Sequence, residues 1–394
     1  MKQIEYNQNL LELLSEIEDY RKGNAIRHNL FDILTIGIFA ILCGANTFTG
    51  MQEYGKLHEA EFRKFLELPH SIPSHDVFRN VFSRVDVKSV SRCFEFWTKQ
   101  WNAAIALQAK DAKNPHIVAI DGKTIRKSGN EEHKPFHVVT AYCSDMQLVL
   151  GQQNTDDKSN EITAIPTLLD CLQIRGCTVT IDAMGTQRKI AEKIIEKGAD
   201  YILALKNNRK NILEIVKHWA DSVQRENTPE TLRAKNLYTS VIEKDHGRIE
   251  ERECWLFPGL QDEELSREWP GLQGIALIRG KRTIVKTGLT SSSDRWFFYS
   301  RKDLTAQQFL SMQRSHWGIE NNLHWVLDVN FHEDAAHVRA KHAAVVLNLF
   351  RKICMQLLKA DTSKGSLQAK RFRCSWSFDY AYAIFRSAGF QQIT

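Results

Sequence analysis

None of the eight cysteines in this 394-residue chain forms a CxxC pair, and several lie in apolar runs, where free thiols are ordinarily buried. That removes the usual spacing signal of a disulfide or thiolate-metal framework and favours a reducing cytosol. No apolar run approaches the roughly 20 residues that a membrane-spanning helix needs. The most apolar window, Ile33–Ala45, reads as a buried helix, so no membrane partner is expected. The segment MKQIEYNQNLLELLSEIED is acidic and lacks the apolar core of a secretory leader, which again predicts a cytoplasmic protein. Internal repeats and low-complexity tracts are absent, so the chain does not read as a repeat array. Excess positive charge is missing from residues 1–100, where twelve Lys and Arg face thirteen Asp and Glu.

What is present is a globular composition, 43% hydrophobic and 25% charged, on a chain long enough for two or three domains. A formal net charge of +6 permits a polyanionic partner without requiring one. The surplus gathers in residues 341–394, with nine Lys and Arg against two acids. That segment is the strongest candidate for nucleic-acid contact, although a solvated basic tail has the same composition.

Residues 1–108 read as helical. Leu10, Leu11, Leu13, Leu14 and Ile17 open an amphipathic segment; Phe31–Cys43 is a core helix, and Phe48–Glu67 a further helix or pair. Ser74 predicts an N-cap, while Val77 stands where a capping box needs a glutamate or glutamine. Helices then follow from His75 to about Arg84 and from Val87 to about Leu107. Short helices on tight linkers suit a helix-turn-helix module and also an all-helical packing domain.

From Pro115 the period changes. His116–Asp121, Phe136–Cys143 and Met146–Gln153 predict three successive strands, with Asp145 in the last turn. Helix Glu161–Ile174, strand Cys177–Asp182, helix Gln187–Lys197, strand Asp200–Leu205 and helix Asn211–Ala220 follow. That order is the α/β order of a ribonuclease-H-like core: an antiparallel meander extended by parallel strands, with helices on both faces. Thr231–Ser300 breaks the alternation and reads as an all-β insertion or extension. A helix from Leu304 to about Trp325, a helical block from about Asp334 to Leu358 and another from about Phe378 to Ser387 complete the reading.

Two strands end in aspartate, Asp121 in HIVAID and Asp182 in CTVTID, each followed by small residues. Carboxylates at the ends of neighbouring strands repel one another unless a cation lies between them. Glu320 falls within a helical stretch in which His316, Glu320, His324 and Asp328 follow at steps of four and share a face. Oxygen donors of this kind suit Mg²⁺ or Mn²⁺, and two such ions support phosphodiester hydrolysis and strand transfer in one site. Two other arrangements stay open: a zinc set of His316, Glu320 and His324, or Glu333 or Asp334 as the third acid, although both fall at a predicted helix start. Lys123, Arg126 and Lys127 after Asp121, with Arg314 before Glu320, form a cationic set able to hold phosphates. Trp317 and Trp325 suit base stacking or core packing, and His316, Asn321 and His324 complete the candidate DNA contacts.

The chain resembles the ISAs1 type of DDE transposase, a group related to IS4 elements, and in particular the H-repeat-associated proteins. RHNLFDILTIGIFAILCGANTFTGMQEYG and LPHSIPSHDVFRNVFSRVD carry the likeness to the family's transposase-associated region. AIDGKTIRKS, KSNEITAIPTLLD, TIDAMGTQ and RSHWGIENNLHWVLDVNFHEDA carry it in the catalytic part. The resemblance places the family's two aspartates on Asp121 and Asp182 and its glutamate on Glu320. It implies a ribonuclease-H-like fold, two Mg²⁺ or Mn²⁺ ions and no nucleotide cofactor. It further implies double-stranded DNA, both element ends and target, as partner, and a DNA-assembled homodimer. The expected activity is hydrolysis at element ends followed by 3′-hydroxyl strand transfer. A transposase-derived DNA-binding regulator or inactive remnant, and a nuclease without strand transfer, are the alternatives. IS4-type enzymes carry Tyr, Arg and Lys around the glutamate where this chain has Gln313, His316 and Leu327; Arg314 and His316 would substitute in part. The division expected is a helical domain at residues 1–108, first core part at 109–230, β-rich insertion at 231–300, glutamate helix and core end at 301–358, and basic helical tail at 359–394.

Overall fold

The structure, a computed structural model, describes residues 9–23, 26–109, 115–129, 134–155, 161–206, 210–259, 262–336, 338 and 342–387. Its centre is one sheet built from β1 (Ile117–Thr124), β2 (His137–Cys143), β3 (Leu148–Thr155), β4 (Thr178–Ile181), β5 (Asp200–Leu205), β6 (Tyr238–Asp245), β7 (Arg248–Pro258), β8 (Gly274–Ile284) and β9 (Thr290–Tyr299). The strand order is β3-β2-β1-β4-β5-β9-β8-β7-β6. β1 to β3 form the expected antiparallel meander, and β4 and β5 run parallel to β1. The central β4, TVTI, is buried along its whole length, as a strand covered on both faces should be.

The β-rich stretch continues this sheet and is not a separate layer. β9 returns antiparallel beside β5, from Ile202 opposite Tyr299 to Leu205 opposite Trp296. Nor is the stretch all β, because Thr228 and Asp262 cap the short helices Pro229–Ala234 and Glu263–Glu268. Burial within it follows composition. Cys254–Phe257, Gly274–Ile278 and Trp296–Tyr299 are buried near the core, while the charged ends of the same strands project beyond it.

Alternation assigns the two faces. Ile202, Phe297 and Tyr299 meet Phe309, Leu310 and Met312 of the helix Ala306–His316. Tyr201, Leu203, Trp296 and Phe298 point to the other face, which joins the core shared with the helices Glu161–Cys171 and Arg188–Glu196.

The N-terminal helices belong to that same core. Helix Leu30–Leu42 is buried on nearly every side, as a helix apolar all round must be. Its Phe39 ring lies 4.5 Å from Phe385 and 5.6 Å from Phe378, and Phe82 lies 5.4 Å from Phe350. No helix among the described residues is long and apolar enough to cross a membrane. Ser74 caps helix His75–Arg84 through the Val77 N–H, and Val77 completes no capping box.

Three expectations near the C-terminus change. The long helix runs from Ala343 to Ala360, because His332 takes a left-handed conformation (φ 52°) and puts Glu333 and Asp334 in a turn. An additional helix, Leu367–Trp376, lies inside the basic tail. Much of the tail's charge points inward. Arg351, Lys352, Lys370 and Arg371 are buried. Lys359 donates to Tyr142 Oη at 3.0 Å and the Asn322 carbonyl at 2.9 Å, and Arg371 donates to the Ile41 carbonyl at 2.8 Å. These cations cross-link the interior, so the surface there is less basic than the sequence count suggests.

Candidate active site

β1 and β4 set the first two carboxylates. Their parallel register pairs Ile120 with Ile181, so Asp121 and Asp182 follow side by side on strands about 4.8 Å apart. Asp182 leaves the sheet as expected, and its Oδ1 accepts from the Met184 N–H at 2.9 Å and the Gly185 N–H at 3.3 Å. Asp121 does not end its strand. β1 continues to Thr124 because β2 runs on beside it, with Asp121 opposite Thr140 and Thr124 opposite His137.

Glu320 approaches from the face covered by helix Ala306–His316. That helix starts at a Thr305/Gln308 capping box and ends at Trp317. A π-helical turn, Glu320–His324, follows and passes into helix Trp325–Phe331. Wider turns of this kind concentrate at functional sites. Donor atoms of Asp121, Glu320 and His324 lie within 4.8 Å of one another. His324 Nδ1 is 3.3 Å from Glu320 Oε2 and 3.7 Å from Asp121 Oδ2.

Burial pushes the Asp121 carboxyl well above the carboxylate range, and the charges of Glu320 and Asp182 push the same way. Glu320 is held low, chiefly by the hydrogen bond with His324. The two carboxylates thus lie close enough to influence each other, with Asp121 pushed up and Glu320 held low. A divalent cation could sit between them: two carboxylates and an imidazole already converge there, with Asp182 just past the end of the neighbouring strand. The residues therefore fit the ion.

The zinc alternative separates. His316 Nδ1 pairs with Thr180 Oγ1 at 2.9 Å, burial pulls its pKa down, and it forms no joint donor cluster with Glu320 and His324 among the described residues. Glu333 is wholly buried and paired, so it is not a free third acid. Another donor group, His116, Cys143 and Asp145, lies at the opposite end of β1.

The candidate DNA contacts divide. Lys123 turns inward: its ammonium meets Asp328 and lies 2.9 Å from Glu333, so those carboxylates hold it and a phosphate would have to displace them. His324 is buried in the carboxylate cluster, and His316 is turned onto Thr180. Arg126 remains outside, 80% exposed, with one 3.4 Å contact to Asp334. Lys127 is exposed. Arg314 is exposed but bound to Glu243 at 2.8 Å. Trp317, half exposed, and Asn321 line a hollow of about 520 Å³ with Arg314, Ser144 and Asp145, toward the end of β1 away from Asp121.

Sequence reasoning missed a buried pair beside Asp121. His137 Nε2 is 2.5 Å from Glu161 Oε1, and a Cβ at Gly122 would collide with both groups. The signal was Gly122 itself, which is needed for close approach and not only for bending. Lys158, Ser159 and Asn160, before Glu161 in the KSNEI segment, lie outside the described residues.

Residues 112–357 match the family model for the transposase DDE domain, and residues 11–98 match its DDE_Tnp_1-associated companion. The chain is 33% identical over 386 residues to "Putative protein YbfL" of Escherichia coli K12, covering 96% of this chain and 98% of that protein. It is similar to the same degree and coverage to "H repeat-associated putative transposase YhhI" of the same strain. A shorter relative there, "Inactive transposase YbfQ", is 31% identical over 75 residues, covering 19% of this chain and 89% of that protein.

Proposed function

The chain belongs to the DDE transposase family, and from that premise we propose that it is a DNA transposase. It would hydrolyse the phosphodiester at element ends and join the freed 3′-hydroxyl to target DNA. The observation that carries this reading is the β1/β4 register, which sets Asp121 and Asp182 side by side while Glu320 closes over Asp121.

Asp121, Asp182 and Glu320 would hold Mg²⁺ or Mn²⁺, two ions in the full complex. When bound, such ions supply the Lewis acidity that activates an oxygen nucleophile and steadies the leaving oxygen. The chain's own contribution is preorganisation. Two backbone N–H groups fix Asp182, and His324 orients Glu320. Arg126 and Lys127 would meet the DNA beyond the Asp121 strand, and Arg314, Trp317 and Asn321 would meet it at the hollow beside Ser144 and Asp145. Pairing of two element ends would bring two copies of the chain together on DNA.

The test is incubation with labelled flanking repeats and Mg²⁺ or Mn²⁺, beside Asp182→Asn. Cuts at the repeat boundary that join into a plasmid, both lost in the variant, are the expected result. Cuts without joining would leave a nuclease. End binding with no cuts by folded protein would reject the enzymatic reading and leave a DNA-binding regulator.

A further inference from the structure

We propose that Lys123 is a positioning residue that ties the Asp121 strand to the Glu320 helix and keeps the neighbouring acids from competing for the cation. This rests on the metal-dependent reading above. Asp121 and Lys123 are two apart on β1 and share a face. Both reach the same helical segment: Asp121 meets Glu320 and His324, and Lys123 meets Asp328. The strand and the helix are therefore joined by two successive rungs.

A second anchor lies behind the first. Lys123 Nζ is 2.9 Å from Glu333 Oε2, and Glu333 has no exposed surface. The other Glu333 oxygen accepts from Asn348 Nδ2 at 2.8 Å and lies 3.8 Å from Arg351 Nη1, both on helix Ala343–Ala360. The left-handed turn at His332 delivers Glu333 to this point, and the Glu333 N–H donates to the Leu327 carbonyl at 3.1 Å. One ammonium thus joins the first-aspartate strand, the glutamate helix and the long C-terminal helix.

Two physical reasons favour a role beyond stability. Apolar side chains often replace buried ion pairs without loss of stability, so geometry is the stronger ground for such a cluster here. Asp328, Glu333 and Asp334 are three further acids within 4.0 Å of the Lys123 ammonium. Its charge offsets theirs and leaves the opening at Asp121 and Glu320 the more attractive to a cation.

The experiment measures Mn²⁺ binding to the full chain without DNA, by electron paramagnetic resonance, with thermal melting of every variant. Wild type and Asp182→Asn report the underlying site. Lys123→Met, Lys123→Arg and Asp328→Asn report the tether. Asp328→Asn keeps the Lys123–Glu333 pair and is the variant expected to fold, since Lys123→Met strands a buried carboxylate. We expect Asp328→Asn to weaken Mn²⁺ binding at least tenfold and Lys123→Arg to stay within threefold of wild type. Cleavage by Asp328→Asn should recover as Mg²⁺ is raised, at unchanged DNA affinity. Wild-type Mn²⁺ affinity in folded Asp328→Asn overturns the tether alone. Absence of Asp182-dependent Mn²⁺ binding in the wild type overturns the metal reading and the tether with it.

Discussion

Lys352 offers a measurement of how strictly the fold confines a charge. Its ammonium is buried on helix Ala343–Ala360 and donates to Thr140 Oγ1 at 2.8 Å and Gln152 Oε1 at 2.7 Å. No carboxylate lies within ion-pair distance of it among the described residues. Burial pulls its pKa down to about 7 from the ordinary 10.5. Between these values the unfolded chain carries a proton that the folded chain lacks. Stability therefore climbs as pH rises from 7 to 10.5, at about 1.4 kcal/mol per pH unit, and is flat outside that window. From pH 7.5 to 9.5 that is about 3 kcal/mol. With an unfolding entropy of about 2.1 cal/mol/K per residue, a chain of 394 residues changes its Tm by about 3 °C for this free energy. Lys352→Met abolishes the titration. Its Tm minus that of the wild type should fall by about 3 °C between pH 7.5 and 9.5, read by calorimetry at three pH values. Taking the difference cancels the cysteines and tyrosines that titrate in both proteins. A Tm difference that stays constant with pH would refute the reasoning and mean that Lys352 is charged in the fold throughout.

Further predictions concern the site. Gly122→Ala should cost roughly 3–5 kcal/mol, because its Cβ displaces the buried His137–Glu161 pair, and thermal melting checks this. Arg126→Ala should reduce the slope of log affinity against log salt by about 0.9, the value for one phosphate contact, while leaving Mn²⁺ binding unchanged. Chelation of divalent ions should abolish cleavage and spare end binding, read by gel shift beside the cleavage assay.

The meander and the parallel strands were legible because their apolar periods are short, regular and bounded by turn residues. Asp200–Leu205 and His75–Arg84 match their expected bounds. Asp121 and Asp182 were legible because a carboxylate is conspicuous beside an apolar strand. The continuation of β1 to Thr124 was not, since it depends on β2 pairing alongside and not on local composition. The buried cations of the C-terminal part were hidden for a similar reason: a count of charge does not show which way Lys352 or Arg371 points. His137, Glu161 and Glu333 were missed or misread because their partners are distant in sequence and close only through the sheet and the helices packed on it.

The four-residue stripe His316, Glu320, His324 and Asp328 shows where periodicity stops being a guide. A regular helix would present all four to one target. The π-helical turn at Glu320–His324 widens the spacing at this point. His316 then meets Thr180, Glu320 and His324 meet Asp121, and Asp328 meets Lys123. The same geometry accounts for the departure seven residues beyond the glutamate. Leu327 there is wholly buried, so a lysine at that position would point into the core. The cation that does reach this helix comes from β1 as Lys123, and it meets carboxylates. A cation available to phosphate must therefore come from elsewhere, and Arg126 and Lys127, three and four residues further on, are exposed candidates. On this reading loss of the Lys123 charge should change metal affinity at constant DNA affinity, and Arg126 variants the reverse. A shared effect on both quantities would mean that the two residues form one phosphate-binding unit.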